Sequence, residues 1–228
     1  MSRPASRFCD HQTPVVAGPA ALPEAPLGDL RFRGLLSEDA WRALPLAVRR
    51  RFSKRLAGGQ TAVYAGHIAE ARFSRLGFLL AQAARLVGGP LPISRDTGVP
   101  TVVTVTEDCA HGGQIWTRLY ARRNANPQVI SSSKRFAGPT GLEEHLGWGL
   151  GMSLAVSVHA GALLFSSTRY FVALGRRRMT LPRWANPGAL TVTHRETGEG
   201  RFDFTLDLVH PWFGPLIHQR GEFHDAIT

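Results

Sequence analysis

Read with a two-residue period, the stretch Gln114–Ala121 (QIWTRLYA) puts Gln114, Trp116, Arg118 and Tyr120 on one face. Ile115, Thr117, Leu119 and Ala121 go to the other. An arginine between two aromatics on a strand has two readings. On an outer wall it stacks on the rings and bonds water. In a pocket it needs a counter-charge, because an unpaired buried guanidinium is costly. Glu144, which opens a later strand, is the acid that could supply one. In the pocket reading Arg118 also holds a carboxylate or phosphate by its forked donors, while the rings pack the apolar part of the ligand. The candidate ligand-binding residues are therefore Trp116, Arg118, Tyr120 and Glu144.

Other reactive side chains make weaker sets. His218, Arg220, Glu222 and His224 share one strand face, with His210 upstream. On a strand, residues four and six apart are separated by ~13 and ~20 Å. His218 and His224 then cannot meet at one ion, and a polar outer face is the expectation. His159 beside Ser157, with Asp203 and Asp207 elsewhere, has no spacing that recommends a triad. The acids Glu107-Asp108 and Glu143-Glu144 are adjacent, so each pair points to opposite faces of a strand. The glycines of GWGLG are followed by no Lys-Ser/Thr and fit kinks in a bent strand better than a phosphate loop. No metal site and no cofactor is expected.

The chain has 228 residues, 43% apolar and 19% charged, which suits a folded domain with a sizeable core. Its net charge is +10, carried by 25 arginines and only two lysines, Lys54 and Lys134. The basic residues are scattered, and no nucleic-acid partner is expected. The run Arg49, Arg50, Arg51, Lys54 and Arg55 could touch anionic lipid headgroups, or form a solvated helix face. Two cysteines, Cys9 and Cys109, make neither a disulfide framework nor a zinc pair, and favour a reducing, cytoplasmic setting. Residues 1–28, rich in Pro and Ala, read as a loose leader before one domain over 29–228. Residues 146–165 carry no formal charge over twenty positions, the length of a membrane span. Their glycines and the alternation Met152, Leu154, Val156, Val158 argue for a strand instead.

Ser37 followed by Glu38 and Asp39 marks a helix start, with Trp41, Leu44, Val48, Phe52 and Leu56 at helical spacing. Pro45 divides this stretch, and Gly58-Gly59 ends it. A strand follows, then a second helix with Leu76, Leu79, Leu80, Ala83 and Leu86 on one face. From residue 100 onward, seven or eight alternating runs follow, the clearest a hairpin over Ala189–His210. This order predicts an α+β fold: N-terminal helices plus a long, strongly curved antiparallel sheet closing into a barrel or half-barrel. The alternative is an open helix-grip sheet of the START-like type.

A series of short motifs gives the chain a resemblance. They are Ala43-Leu44-Pro45 with Val48-Arg49-Arg50, Leu76-Gly77 before Leu91-Pro92, and Val99-Pro100. Then come Trp116 with Arg118, Glu144 with Gly147, Leu181-Pro182, and Pro211, Gly214, Pro215, Leu216 and Gly221. In this order, over roughly residues 35–224, the chain resembles the bacterial family called domain of unknown function 4166. It departs at Gln219-Arg220, where the family has a Tyr, and at the Arg176–Arg178 turn. The resemblance implies a shared fold and no established activity; such domains are sometimes fused to short-chain or saccharopine-dehydrogenase-like reductases, which makes a reductase a candidate partner. The expected function is binding of a small hydrophobic or lipid-like ligand in a cavity of the curved sheet. The alternatives are a cofactor-independent isomerase, cyclase or hydrolase using His159, Arg118 or Glu144, and a peripheral membrane or reductase-partner domain.

Overall fold

The fold is that of a computed structural model, which describes residues 28–226 apart from Arg176. The expected leader lies outside the described residues, save Gly28, which bridges to Lys54. Ser37 caps helix α1 (Glu38–Arg42) by accepting from the Ala40 N–H, with Glu38 and Asp39 in the first turn. Pro45 caps α2 (Leu46–Phe52). This helix stops six residues short of the glycines expected to end it. Asp29 N–H donates to the Ser53 carbonyl, and the bridge at Lys54 draws the chain into extended structure.

The sheet consists of β1 (Ala62–Phe73), β2 (Pro100–Asp108), β3 (Gly113–Tyr120), β4 (Gln128–Arg135), β5 (Glu143–Gly147) and β6 (Leu150–His159), followed by β7 (Ala162–Leu174), β8 (Arg177–Thr180), β9 (Ala189–Gly198), β10 (Arg201–His210) and β11 (Gly214–Asp225). Helix α3 (Arg75–Ala84) joins β1 to β2. Every pairing is antiparallel. β1 bonds both β2 and β11, while β7 bonds both β6 and β9, so ten strands close on themselves. β8 lies outside the ring as a short flap on β7. The sheet thus closes into a barrel, and the open helix-grip alternative is not adopted. Closure removes the sheet edges that would otherwise invite aggregation.

Alternation sorts the side chains. Val103, Val105, Met152, Leu154, Leu163, Phe165, Phe202 and Leu208 fill the inside. The outer wall across β1, β10 and β11 is polar: Arg220 bonds Glu70, Asp203 and Glu222, and His218 pairs with Asp207. That is the reverse of the arrangement in a membrane-spanning barrel. No helix among the described residues is long and apolar enough to cross a membrane. The uncharged stretch 146–165 forms a hairpin of strands instead. Its GWGLG segment is a tight turn rather than a set of kinks. Gly147, Trp148 and Gly149 all have positive φ (95°, 53° and 79°), which is what a sharp reversal between β5 and β6 demands.

The barrel has two distinct ends. At the N-terminal end, α1, α2 and the segment before them insert Phe32, Trp41, Leu44, Val48 and Phe52 as a plug. Phe32 packs edge-on against Phe52, Phe136 and Phe165. Arg51 fastens the plug. It bonds Glu196 at 3.1 Å and His194 Nε2 at 3.2 Å, pairs with Asp225 at 3.6 Å, and lies 3.9 Å over the Phe202 ring. At the other end α3 covers the opening. Its expected inward face is corrected: Gly77 and Ala81 are buried, while Leu76, Leu79 and Leu86 are exposed. A Cβ on Gly77 would sit 2.0 Å from the Leu216 carbonyl oxygen, so the helix approaches the barrel along its smallest side chains.

Two outcomes follow. Arg51→Ala leaves Glu196 and a cation-stacked ring without their partner inside the protein, and should lower the unfolding free energy by about 3 kcal/mol or more. Chemical denaturation checks this, with Arg50→Ala on the exposed side of α2 as a near-neutral control. His194 is wholly buried. Burial, with Arg51 beside it, pushes its imidazole from an ordinary value of 6.5 down to about 3. The folded form therefore keeps it neutral, and the unfolded chain binds the extra proton. That contribution to stability is complete above pH 6.5 and is lost as pH falls toward 3. His194→Gln should flatten stability against pH in that window, measured by denaturation at a series of pH values.

Candidate functional site

The inward positions of three neighbouring strands meet at one place. β3 contributes Trp116 and Arg118, β4 contributes Ser132 and Lys134, and β5 contributes Glu144. Register fixes the meeting, since Lys134 lies opposite both Gln114 and Glu144, and Trp116 lies opposite Ser132. One carboxylate oxygen, Glu144 Oε1, accepts from Ser132 Oγ at 2.6 Å and from Lys134 Nζ at 3.0 Å. Arg118 Nη2 approaches the same oxygen at 3.5 Å, and Arg118 Nη1 reaches Ser132 Oγ at 3.3 Å. Lys134 and Glu144 are each 4% exposed.

This cluster forms one end of a cavity of about 350 Å³. Its floor adjoins the plug, where Phe52 stacks on Trp116 and the Lys134 ammonium sits 5.0 Å from the indole centroid. Ile130 and Met152, opposite Arg118 and Glu144 in register, line the wall beside the cluster, with Tyr120 and Leu190 toward the α3 end. Under α3 the lining is Leu80, Ala84, Pro90, Leu91, Leu181 and Ala185. The arginine between rings therefore faces inward, and the outer-wall reading of this strand is set aside. Trp116 Nε1 donates to Gln114 Oε1 at 3.2 Å, which holds the indole against the floor.

The electrostatics follow from burial. Burial alone would push the Glu144 carboxyl up, but Lys134, Arg118 and Ser132 outweigh it and hold it down at about 2. Burial pushes the Lys134 ammonium down, and Arg118 adds to this, against the restoring pull of Glu144. Burial pushes up the phenols of Tyr120 and Tyr170, the latter to about 12, so both stay neutral donors. The cavity thus sets two basic side chains, Arg118 and Lys134, against one carboxylate.

Trp116, Arg118, Tyr120 and Glu144 come together as a lining. Lys134 and Ser132 were not anticipated, although an alternation running Ile130, Ser132, Lys134 was present in the sequence. The remaining sets disperse. Glu143 faces out and pairs with Arg178 at 2.6 Å and His145 at 3.3 Å. His159 is exposed at the end of β6, away from the cavity lining. His218 is engaged by Asp207 and Glu70 on the outer wall, and no group of metal-ligating side chains occurs among the described residues. In the run 49–55, Arg51 is buried in the plug and Lys54 pairs with Asp225 at 3.2 Å.

No curated protein and no solved structure matches the chain. Residues 44–223 match a family described as Domain of unknown function (DUF4166), and with most of its length so matched the chain belongs to that family.

Proposed function

We propose that the barrel binds a small amphipathic molecule with an apolar body and one anionic group, a carboxylate or phosphate, at the Arg118–Lys134 end of the cavity. A closed antiparallel barrel is compatible with ligand binding, and a cavity of about 350 Å³ with mostly apolar walls and a few convergent polar groups is the usual form of a small-molecule site. The observation that carries the charge preference is the imbalance. Lys134 and Arg118 share one oxygen of Glu144, at 3.0 and 3.5 Å, so a single carboxylate answers both. A ligand anion supplies a second, and a buried cation so paired no longer carries the full desolvation cost. Arg118 offers the fork, since only its Nη2 approaches Glu144 and at the longer distance of 3.5 Å.

Displacement of anilinonaphthalene sulfonate from the purified, delipidated protein tests this. Palmitate should compete at least about tenfold better than cetyl alcohol, a difference of about 1.4 kcal/mol. Arg118→Leu should erase the preference. Glu144→Gln removes the internal competitor and should tighten palmitate while leaving the alcohol unchanged. The anion preference should fade with rising pH sooner than an ordinary lysine would allow, because burial lowers the Lys134 pKa and its charge is lost first. Equal binding of acid and alcohol by the wild type would overturn the reading.

A second reading is favoured by one observation only, a lysine of lowered pKa in an apolar cavity. A cofactor-independent enzyme would use Lys134 as its base or nucleophile, since His159 is exposed and Glu144 is held as a carboxylate. Decanal with cyanoborohydride should then place one more alkyl group on wild-type protein than on Lys134→Met, beyond any on Lys54 and the α-amine; equal labelling of both would dismiss it.

A further inference from the structure

The exposed apolar residues are distributed unevenly. Of five tryptophans, Trp41 and Trp116 are buried, while Trp148, Trp184 and Trp212 are 79%, 77% and 74% exposed. All three exposed rings lie in connections at the α3 end of the barrel. Trp148 is in the β5–β6 turn, Trp184 in the turn between β8 and β9, and Trp212 in the β10–β11 turn. Phe213, Leu76, Leu79 and Leu86 are exposed at the same end. The strand connections at the opposite end, 109–112, 136–142, 160–161 and 199–200, expose no large apolar side chain, and the plug segments there expose two, Leu30 and Leu46, but no tryptophan.

Charge is divided along the same axis. The connections at the α3 end carry Arg75, Arg85, Arg95, Arg122, Arg123, Arg177 and Arg178, against the single acid Asp96. Among the described residues only Arg178 of these is taken by a carboxylate, Glu143. Arg95 and Arg123 donate to backbone carbonyls, of Phe73 and Thr97, and Arg85 to the Gln82 side chain. The stretch from His145 to Arg195, which builds half of this end, contains no acid at all.

We propose that this rim docks the barrel, α3 end first, onto an anionic lipid bilayer. Tryptophan rings settle at the headgroup level, where an apolar body and a polar N–H are both satisfied. Arginines meet lipid phosphates by forked hydrogen bonds. The polar outer wall limits the contact to the rim, so the barrel lies on the surface and does not span it. The inference gives a source to the ligand of the cavity, whose upper lining of Leu80, Leu91 and Leu181 lies directly beneath this rim, and in that respect it rests on the reading proposed above.

Flotation of the full chain with vesicles tests it. Protein should float with phosphatidylcholine vesicles containing ~30% phosphatidylglycerol, and poorly with phosphatidylcholine alone or in ~1 M salt. The triple variant Trp148→Ala, Trp184→Ala, Trp212→Ala and the charge variant Arg85→Glu, Arg123→Glu should each bind at least about tenfold more weakly. Arg50→Glu with Arg55→Glu, at the opposite end, should change nothing. In wild-type protein, bromine-labelled lipid should quench the exposed indoles and spare a variant in which only Trp41 and Trp116 remain. Absence of flotation on anionic vesicles, unaltered binding of the triple variant, or loss through Arg50 and Arg55 would each overturn the proposal. Palmitate binding measured on the same samples separates the two ideas: protein that holds palmitate but does not float refutes docking alone, and protein that floats but holds none refutes the cavity reading alone.

Discussion

Three donors converge on one carboxylate oxygen inside an otherwise apolar barrel, and the arrangement depends on closure. Once ten strands form a ring, every second residue must point inward. The inward set of β3, β4 and β5 includes Arg118, Lys134 and Glu144. Lys134 and Glu144 are buried and Arg118 is partly so, and the three answer one another. Glu144 is held at about 2 by its neighbours against the opposing effect of burial, and Arg118 and Lys134 both line the cavity beside it. Removing Glu144 would leave two cations, and removing either cation would alter what the cavity attracts.

The two ends of the barrel divide the labour. The N-terminal end is dry and crossed by aromatic contacts, with Arg51 drawing α2, β9 and β11 together through Glu196, His194 and Asp225. That plug gives the cavity a rigid floor, because Phe52 presses directly on Trp116. The α3 end is held differently. α3 touches the barrel through Gly77 and Ala81, and covers the cavity with Leu80 and Ala84. Exposed tryptophans and the arginines of the neighbouring connections lie at the same end. A fixed floor with the charge and a covered upper end with the apolar contact suit a ligand whose anionic head lies deepest.

Much of this was legible in the sequence, and the misses have physical causes. Strict alternation exposed the Trp116 and Arg118 face and the Ala189–His210 hairpin, because a half-buried strand writes its pleat into every second residue. Glu144 was found as the acid a buried arginine requires. Lys134 was missed because its strand, QVISSSKR, has Ile130 as the only apolar residue on its inward side and so reads as wet. The face of α3 was misread because periodicity assumes that the largest apolar residues turn inward. Here close packing on the Leu216 carbonyl selects glycine and alanine, and the leucines are left outside. Arg51 looked like one charge in a solvated run, and only the non-local approach of β9 and β11 reveals its partners. Closure itself depends on pairings between β1 and β11 and between β6 and β7, of which the first joins the two extremes of the domain and has no local signal.

The central claim is that an anionic head sits beside Arg118 and Lys134 at the floor of the cavity. Nuclear magnetic resonance of palmitate labelled with carbon-13 at its carboxyl, titrated with pH in complex with the protein, tests it most directly. Beside two cations the bound carboxyl should stay ionised well below ~4, the ordinary range for such a group. A bound carboxyl that titrates as it does in water, unchanged by Arg118→Leu, would contradict it.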